Sequence, residues 1–114
     1  MLSDEIDHVE ESEIVLKPIM LGYSIRVLGV HVGAVEAVPG RLEYIELEQG
    51  WEGKGVTRAT LNAFIDLSRR KGYEEVSTNN PTHPAMRHIL ETEGFTELPR
   101  GDWTKRIDAD ENEF

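Results

Sequence analysis

The chain has 114 residues, 39% hydrophobic and 30% charged, enough for one domain with one modest core. It has no cysteine, which excludes a disulfide framework, a thiolate metal site and a cysteine nucleophile, and no apolar run approaches the ~20 residues of a membrane span. The net charge of −10 lies at the two ends: Asp4, Glu5, Asp7, Glu10, Glu11 and Glu13 meet no base within 1–13, nor do Asp108, Asp110, Glu111 and Glu113 within 107–114.

The remaining acids are matched by the 12 Lys and Arg, so the stretch 14–106 is neutral and carries no basic stripe for phosphate neutralisation; nucleic-acid binding is not expected. Short acidic ends of this kind read as solvated, frayed tails, giving an expected organisation of an acidic tail over 1–13, a folded domain over 14–106 and an acidic tail over 107–114. The opening Met1-Leu2-Ser3-Asp4-Glu5 lacks the basic-then-apolar layout of a signal peptide, which fits a cytoplasmic protein. Only four lysines occur, Lys17, Lys54, Lys71 and Lys105. This acid-rich, lysine-poor usage resembles that of proteins from salt-loving archaea and their viruses.

In chain order, residues 14–20 form a short strand or lead-in. Tyr23–Leu28 and Val30–Val38 read as strands around Gly29, with Val30, Val32, Ala34 and Val38 at alternating positions. Pro39-Gly40 marks a turn. Leu42–Leu47 is a strand whose alternation is broken, because Glu43 shares the parity of Ile45 and Leu47. A helix is predicted from Val56 to Lys71, with Leu61, Phe64, Ile65 and Ser68 on one face and Gly72 as its stop. Glu74–Thr78 is a strand. A second helix starts at Pro84, turns Met86, Ile89 and Leu90 inward and stops at Gly94. Trp103–Ile107 is a last strand.

Between the third strand pattern and the first helix lies Gln49-Gly50-Trp51-Glu52-Gly53-Lys54-Gly55-Val56-Thr57-Arg58, with three glycines in six residues. A glycine-rich turn opening a helix leaves several backbone N–H groups unpaired at the positive end of the helix dipole, an arrangement that holds phosphate. The spacing is neither G-x-x-x-x-G-K-[ST] nor G-x-G-x-x-G.

Together with the later run Glu75-Val76-Ser77-Thr78-Asn79-Asn80 and the helix Pro84–Glu93 closing on Gly94-Phe95, this turn resembles the GNAT superfamily of acyl-CoA N-acyltransferases. The resemblance covers roughly Tyr23 to Thr104. It implies an α/β fold with a mixed, mostly antiparallel sheet flanked by helices, and acetyl-CoA or another acyl-CoA as co-substrate. The coenzyme would be held by Gly53, Lys54, Gly55, Val56, Thr57 and Arg58, with Asn80 and the backbone of Leu47 beside the thioester. The chain departs from the family in three places. The two helices between the first strands are missing, Glu52 stands where the family loop has Arg or Gln, and Leu90 stands where a tyrosine acid is usual.

An amine acceptor needs a route for its proton. The resemblance offers Glu75, on the strand before the asparagine turn, and a glutamate of the strand before the glycine turn, where Glu43, Glu46 and Glu48 are available; Glu46 and Glu75 are the catalytic candidates. The family's asparagine falls on His83 or, with three residues inserted, on Asn80. His8, His31, His83 and His88 have no metal spacing. The expected function is acyl transfer from acyl-CoA to an amine, with a protein partner or a second copy as a further expected contact. The alternative from another class is a non-catalytic module of the same fold, an assembly or virion component.

Overall fold

A computed structural model of the protein describes residues 2–108. Seven strands form one sheet in the order β1-β2-β3-β4-β5-β7-β6, comprising β1 (Ile14–Ile19), β2 (Gly22–Val27), β3 (Val30–Val38), β4 (Arg41–Leu47), β5 (Glu75–Thr78), β6 (Thr96–Glu97) and β7 (Trp103–Arg106). Only β4 and β5 run parallel, joined by the crossover helix α2 (Val56–Arg70); the other neighbours are antiparallel. Helix α3 (Pro84–Thr92) follows β5, and a short helix α1 (Leu2–Glu5) and a 3-10 turn (Glu11–Glu13) precede β1. The mixed, mostly antiparallel sheet with helices is the expected fold class.

The turns follow from their residues. Leu28 and Gly29 both have positive φ, the two-residue connection that suits a right-handed strand pair. Pro39 supplies a fixed φ and Gly40 a φ of 88°, joining β3 to β4; the Gly40 N–H is held by the buried Ser68 hydroxyl of α2 at 2.9 Å. Helix α2 ends as expected: Gly72 has φ 90° and the Tyr73 N–H returns to Ser68 O at 3.0 Å.

The apolar face of α2 (Leu61, Phe64, Ile65) and Leu90 of α3 pack on Tyr23, Val35, Ala37, Leu42, Val76 and Trp103 of the sheet. Both helices therefore sit on one side. The alternation expected for β3 holds only in part, because Val32, Val35 and Ala37 are buried whereas Val30 and Val38 are exposed. The cause is a bulge: Ile25 pairs with Gly33 and Arg26 with His31, so Val32 is an extra residue that switches the parity. A second bulge lies in β4, where Ala37 pairs with Leu42 and Glu36 with Tyr44, leaving Glu43 over. It accounts for the broken alternation of Leu42–Leu47.

The frayed-tail reading of 1–13 does not hold across that segment. Ser3 and Val9 are buried, Ile6 packs on the same cluster, and the Val9 N–H bonds to Lys54 O at 2.8 Å. The period of three turns Ser3, Ile6 and Val9 inward and leaves Asp4, Glu5, Asp7 and Glu10 in solvent, so a high acid count coexists with one packed edge. At the other end Ile107 is buried and its N–H bonds to Glu74 O, so the fold runs one residue past the expected boundary; 109–114 lie outside the described residues. Val9→Ala is expected to cost about 1–3 kcal/mol in a urea titration, as a buried large-to-small change. A neutral result would show that the segment contributes no packing.

Candidate functional site

Strands β4 and β5 are paired over two residues only, Arg41 with Ser77 and Leu42 with Thr78. Beyond that point the Glu43 bulge bends β4 away, and the gap becomes a cleft of about 810 Å³. One wall is β4 (Tyr44, Ile45, Leu47), another the start of α3 (Ala85, Met86, Ile89), and the end is the glycine turn with the first residues of α2.

Backbone groups dominate the two ends of this cleft. The Glu48 N–H bonds to Val32 O of β3 at 2.8 Å. Strand alternation then directs the N–H of Leu47 the opposite way, to the edge that β5 has left. At the far end Gly55 is the N-cap of α2, with φ 81° and no side-chain cap, and the first helical bond is Ala59 N–H to Gly55 O. Thr57 therefore does not cap the helix. The N–H groups of Val56, Thr57 and Arg58 precede the helical ladder at its positive end, and all three residues line the cleft.

The side chains near the turn differ from expectation in what they do. The Glu52 carboxylate folds back to accept the Gly50 N–H at 3.1 Å rather than pairing with Lys54 or Arg58. Arg58 is held by Glu93 and by Thr92 Oγ1 at the end of α3, tying the two helices together beside the cleft. Lys54 is absent from the cleft lining and contributes its carbonyl to Val9. The turn is gripped from outside: a Cβ on Gly55 would stand 2.8 Å from the His8 ring, and one on Gly50 would stand 3.2 Å from Ser3 Oγ. Trp51, 4% exposed, anchors the turn in the core.

Of the predicted site residues, the cleft brings together Leu47, Gly53, Gly55, Val56, Thr57, Arg58 and Asn80. Glu46 and Glu75 are not among its lining residues. Glu46 pairs with Ala34 on the face of the sheet away from the helices, and Glu75 lies at the opposite end of β5, accepting from the Thr104 hydroxyl. Leu90 is fully buried core. Asn80 lines the cleft and accepts from Trp103 Nε1 at 3.3 Å, while His83 is the N-cap of α3, its Nδ1 accepting the Ala85 N–H.

The carboxylate that does reach the splay is Glu43. Asn79 Nδ2 donates to it at 2.8 Å and Arg41 Nε at 3.1 Å; these bonds, Asn79's first, hold its pKa below the ordinary value. Arg41 also bonds to Asp102, Ser77 and Asn79. Partial burial opposes the Arg41 charge, but its bonds to Glu43 and Asp102 outweigh that and raise its pKa. The signal for Glu43 was the broken alternation of its own strand.

No family model and no curated protein matches the sequence. Solved structures do match. One is the putative N-acetyl transferase YhhK from E. coli bound to coenzyme A, with TM-score 0.59 and 17% identity over 75% of this chain and 70% of that one. Another is a GCN5-related N-acetyltransferase, described also as class-II aminotransferase, from Rhodopseudomonas palustris, with TM-score 0.59 and 14% identity over 75% and 60% of the two chains. The chain has the GNAT fold.

Glu43 is expected to titrate below 4.5 when followed by the carbon-13 shift of its carboxyl, and Asn79→Ala to move the midpoint up toward 4.5. A depressed carboxyl pKa stabilises the fold above its unfolded value and loses that stabilisation as pH falls through the folded one. The Asn79→Ala protein should therefore show less acid-induced loss of stability below about pH 4.5 than its parent. An unchanged midpoint would sink the assignment of Asn79 as the main donor.

Proposed function

We propose that the protein is an acyl-CoA-dependent N-acyltransferase, transferring an acyl group, acetyl in the first instance, to an amine. The observation that carries this reading is the cleft opened by the two-residue β4–β5 ladder, which runs from the Leu47 N–H to the uncapped start of α2. The fold of the coenzyme A-bound neighbour supports it.

The residues present fit an acyl-CoA. The N–H groups of Val56, Thr57 and Arg58 face a pyrophosphate with the helix dipole behind them. The slot between β4 and Asn80-Pro81 is lined by Ile45, Met86 and Ile89, suited to an extended, largely apolar arm. The Leu47 N–H polarises the thioester carbonyl and stabilises the oxyanion as the amine attacks. The new C–N bond forms, the C–S bond breaks, and coenzyme A leaves as the thiolate, which takes up a proton. The amine's surplus proton passes to water. Glu43, held ionised by Asn79 and Arg41, orients a cationic acceptor at the splay better than it accepts a proton. Lys54 acts through its carbonyl, by fixing the turn.

A second reading, a non-catalytic binding module or assembly component of the same fold, is favoured by the core position of Leu90 and by the absence of Glu46 and Glu75 from the cleft lining. A cytoplasmic location is part of the first reading, and a virion location belongs only to the second.

Titration calorimetry with acetyl-CoA tests the assignment. Thr57→Glu adds an acid to the first turn of α2, which favours the helix by about 0.3–1 kcal/mol while opposing bound phosphate. It is expected to keep or raise the melting temperature and to weaken binding roughly tenfold at low salt, with a smaller loss at molar salt. Glu52→Arg is expected to tighten binding by about tenfold, from a repulsion removed and a phosphate contact added. Equal binding by the parent and Thr57→Glu proteins, or no binding by either, would overturn the coenzyme site. Binding without turnover of any amine would leave the module reading.

A further inference from the structure

The helices cover one face of the sheet, and among the described residues nothing covers the other. On that open face the register forms cross-strand rows. One row is Lys17, Ser24, Ala34, Glu46, and the next is Ile19, Gly22, Glu36, Tyr44. Ile19 is 50% and Tyr44 57% exposed. Charge is divided across the face: Lys17 and Arg26 stand on β1 and β2, Glu36 and Glu46 on β3 and β4, and His31 of β3, beside Arg26, is held by Ser24 Oγ at 2.7 Å and by Glu48 at 3.4 Å. Among the described residues Lys17, Glu36 and Glu46 have no ion pair. Arg26 bonds only to the Gly29 carbonyl, and its buried Nε has no partner.

We propose that this face binds a second copy of the chain, forming a two-fold dimer by stacking sheet on sheet. A two-fold axis in the plane of the face, along the strands and between β2 and β3, carries each row onto itself reversed. Lys17 then faces Glu46 of the second copy, Ser24 faces Ala34, Ile19 faces Tyr44, and Gly22 leaves room for Glu36. Opposite charges meet at both flanks, apolar groups meet beside them, and Ser24, Ala34 and Gly22 between them are small enough for the ~10 Å approach of packed sheets. In these two rows the pattern is self-complementary, as an isologous contact requires. A foreign partner has no reason to match rows that match themselves.

The four overlapping strands offer roughly 20 Å by 20 Å in projection on each copy, at the low end for specific interfaces, so the dimer is a weak, reversible one. Tyr44 stands on this face and also lines the cleft. The second copy therefore supplies a wall beside the splay, and this consequence alone rests on the acyltransferase reading.

Sedimentation equilibrium of the full chain, from about 1 µM to about 1 mM at physiological ionic strength, is expected to show a monomer of 12.9 kDa converting to twice that mass. Lys17→Glu or Glu46→Lys alone should weaken association roughly 30-fold, since each change replaces two attractions by two repulsions. The double variant with both changes should restore it. Both positions are exposed, and circular dichroism is the check that each variant is folded. As an independent measurement, a zero-length carbodiimide crosslink should join Lys17 of a nitrogen-15-labelled copy to Glu46 of an unlabelled one. Within one chain the two residues are three strands, or about 14 Å, apart, too far for such a link. A monomer throughout, a dimer indifferent to both reversals, or a double variant that stays dissociated would overturn the proposal.

Discussion

Everything distinctive about this structure depends on the shortness of one ladder. Parallel strands normally share hydrogen bonds along their length, yet β4 and β5 share two residue pairs before the Glu43 bulge turns β4 aside. A buried backbone edge without partners costs about 1–3 kcal/mol per group, so an opened edge persists only where water or a ligand can reach it. The cleft is the volume that satisfies this condition. Its two ends both present main-chain N–H groups, that of Leu47 and those of the first turn of α2.

The price of holding the splay open falls on polar side chains. Asn79 Nδ2 bonds to both the Glu43 carbonyl and its carboxylate, replacing the ladder bonds lost beyond Thr78. Arg41 lies between that pair and Asp102, so the point of divergence is clamped by a charged network on the open side of the sheet. On the helix side the same point is plugged by Leu42 and Phe64. Both clamps act on a few residues, leaving the rest of β4 free to line the cleft.

The order of strands and helices was legible in the sequence because each element carries its own punctuation: Gly40 (after Pro39), Gly72 and Gly94 all stand at φ near 90° where stops were expected. The glycine turn was legible for the same reason. Three things were not. The β3 bulge adds one residue with no mark in the pattern, so the parity of β3 failed at Val32. The β4 bulge did break the alternation of its strand, and of the glutamates available there Glu46 was preferred to Glu43. The short β6 has two residues, too few for a period. The N-terminal segment was hidden by its acids, since a three-residue repeat of Ser3, Ile6 and Val9 is outweighed in any composition count by the charges between them.

That segment has a consequence for how the molecule is made. Val9 and Lys54 are bonded but remote in sequence, and a chain synthesised from its N-terminus produces residues 3–9 long before the turn they close upon. Docking must therefore be among the later steps of folding, after the hairpins of β1–β4 have formed from local contacts. Until then Ile6 and Val9 lie in water, with Glu5, Asp7 and Glu10 beside them. Asp4, Glu5, Asp7 and Glu10 thus stand where charge opposes association of the undocked segment.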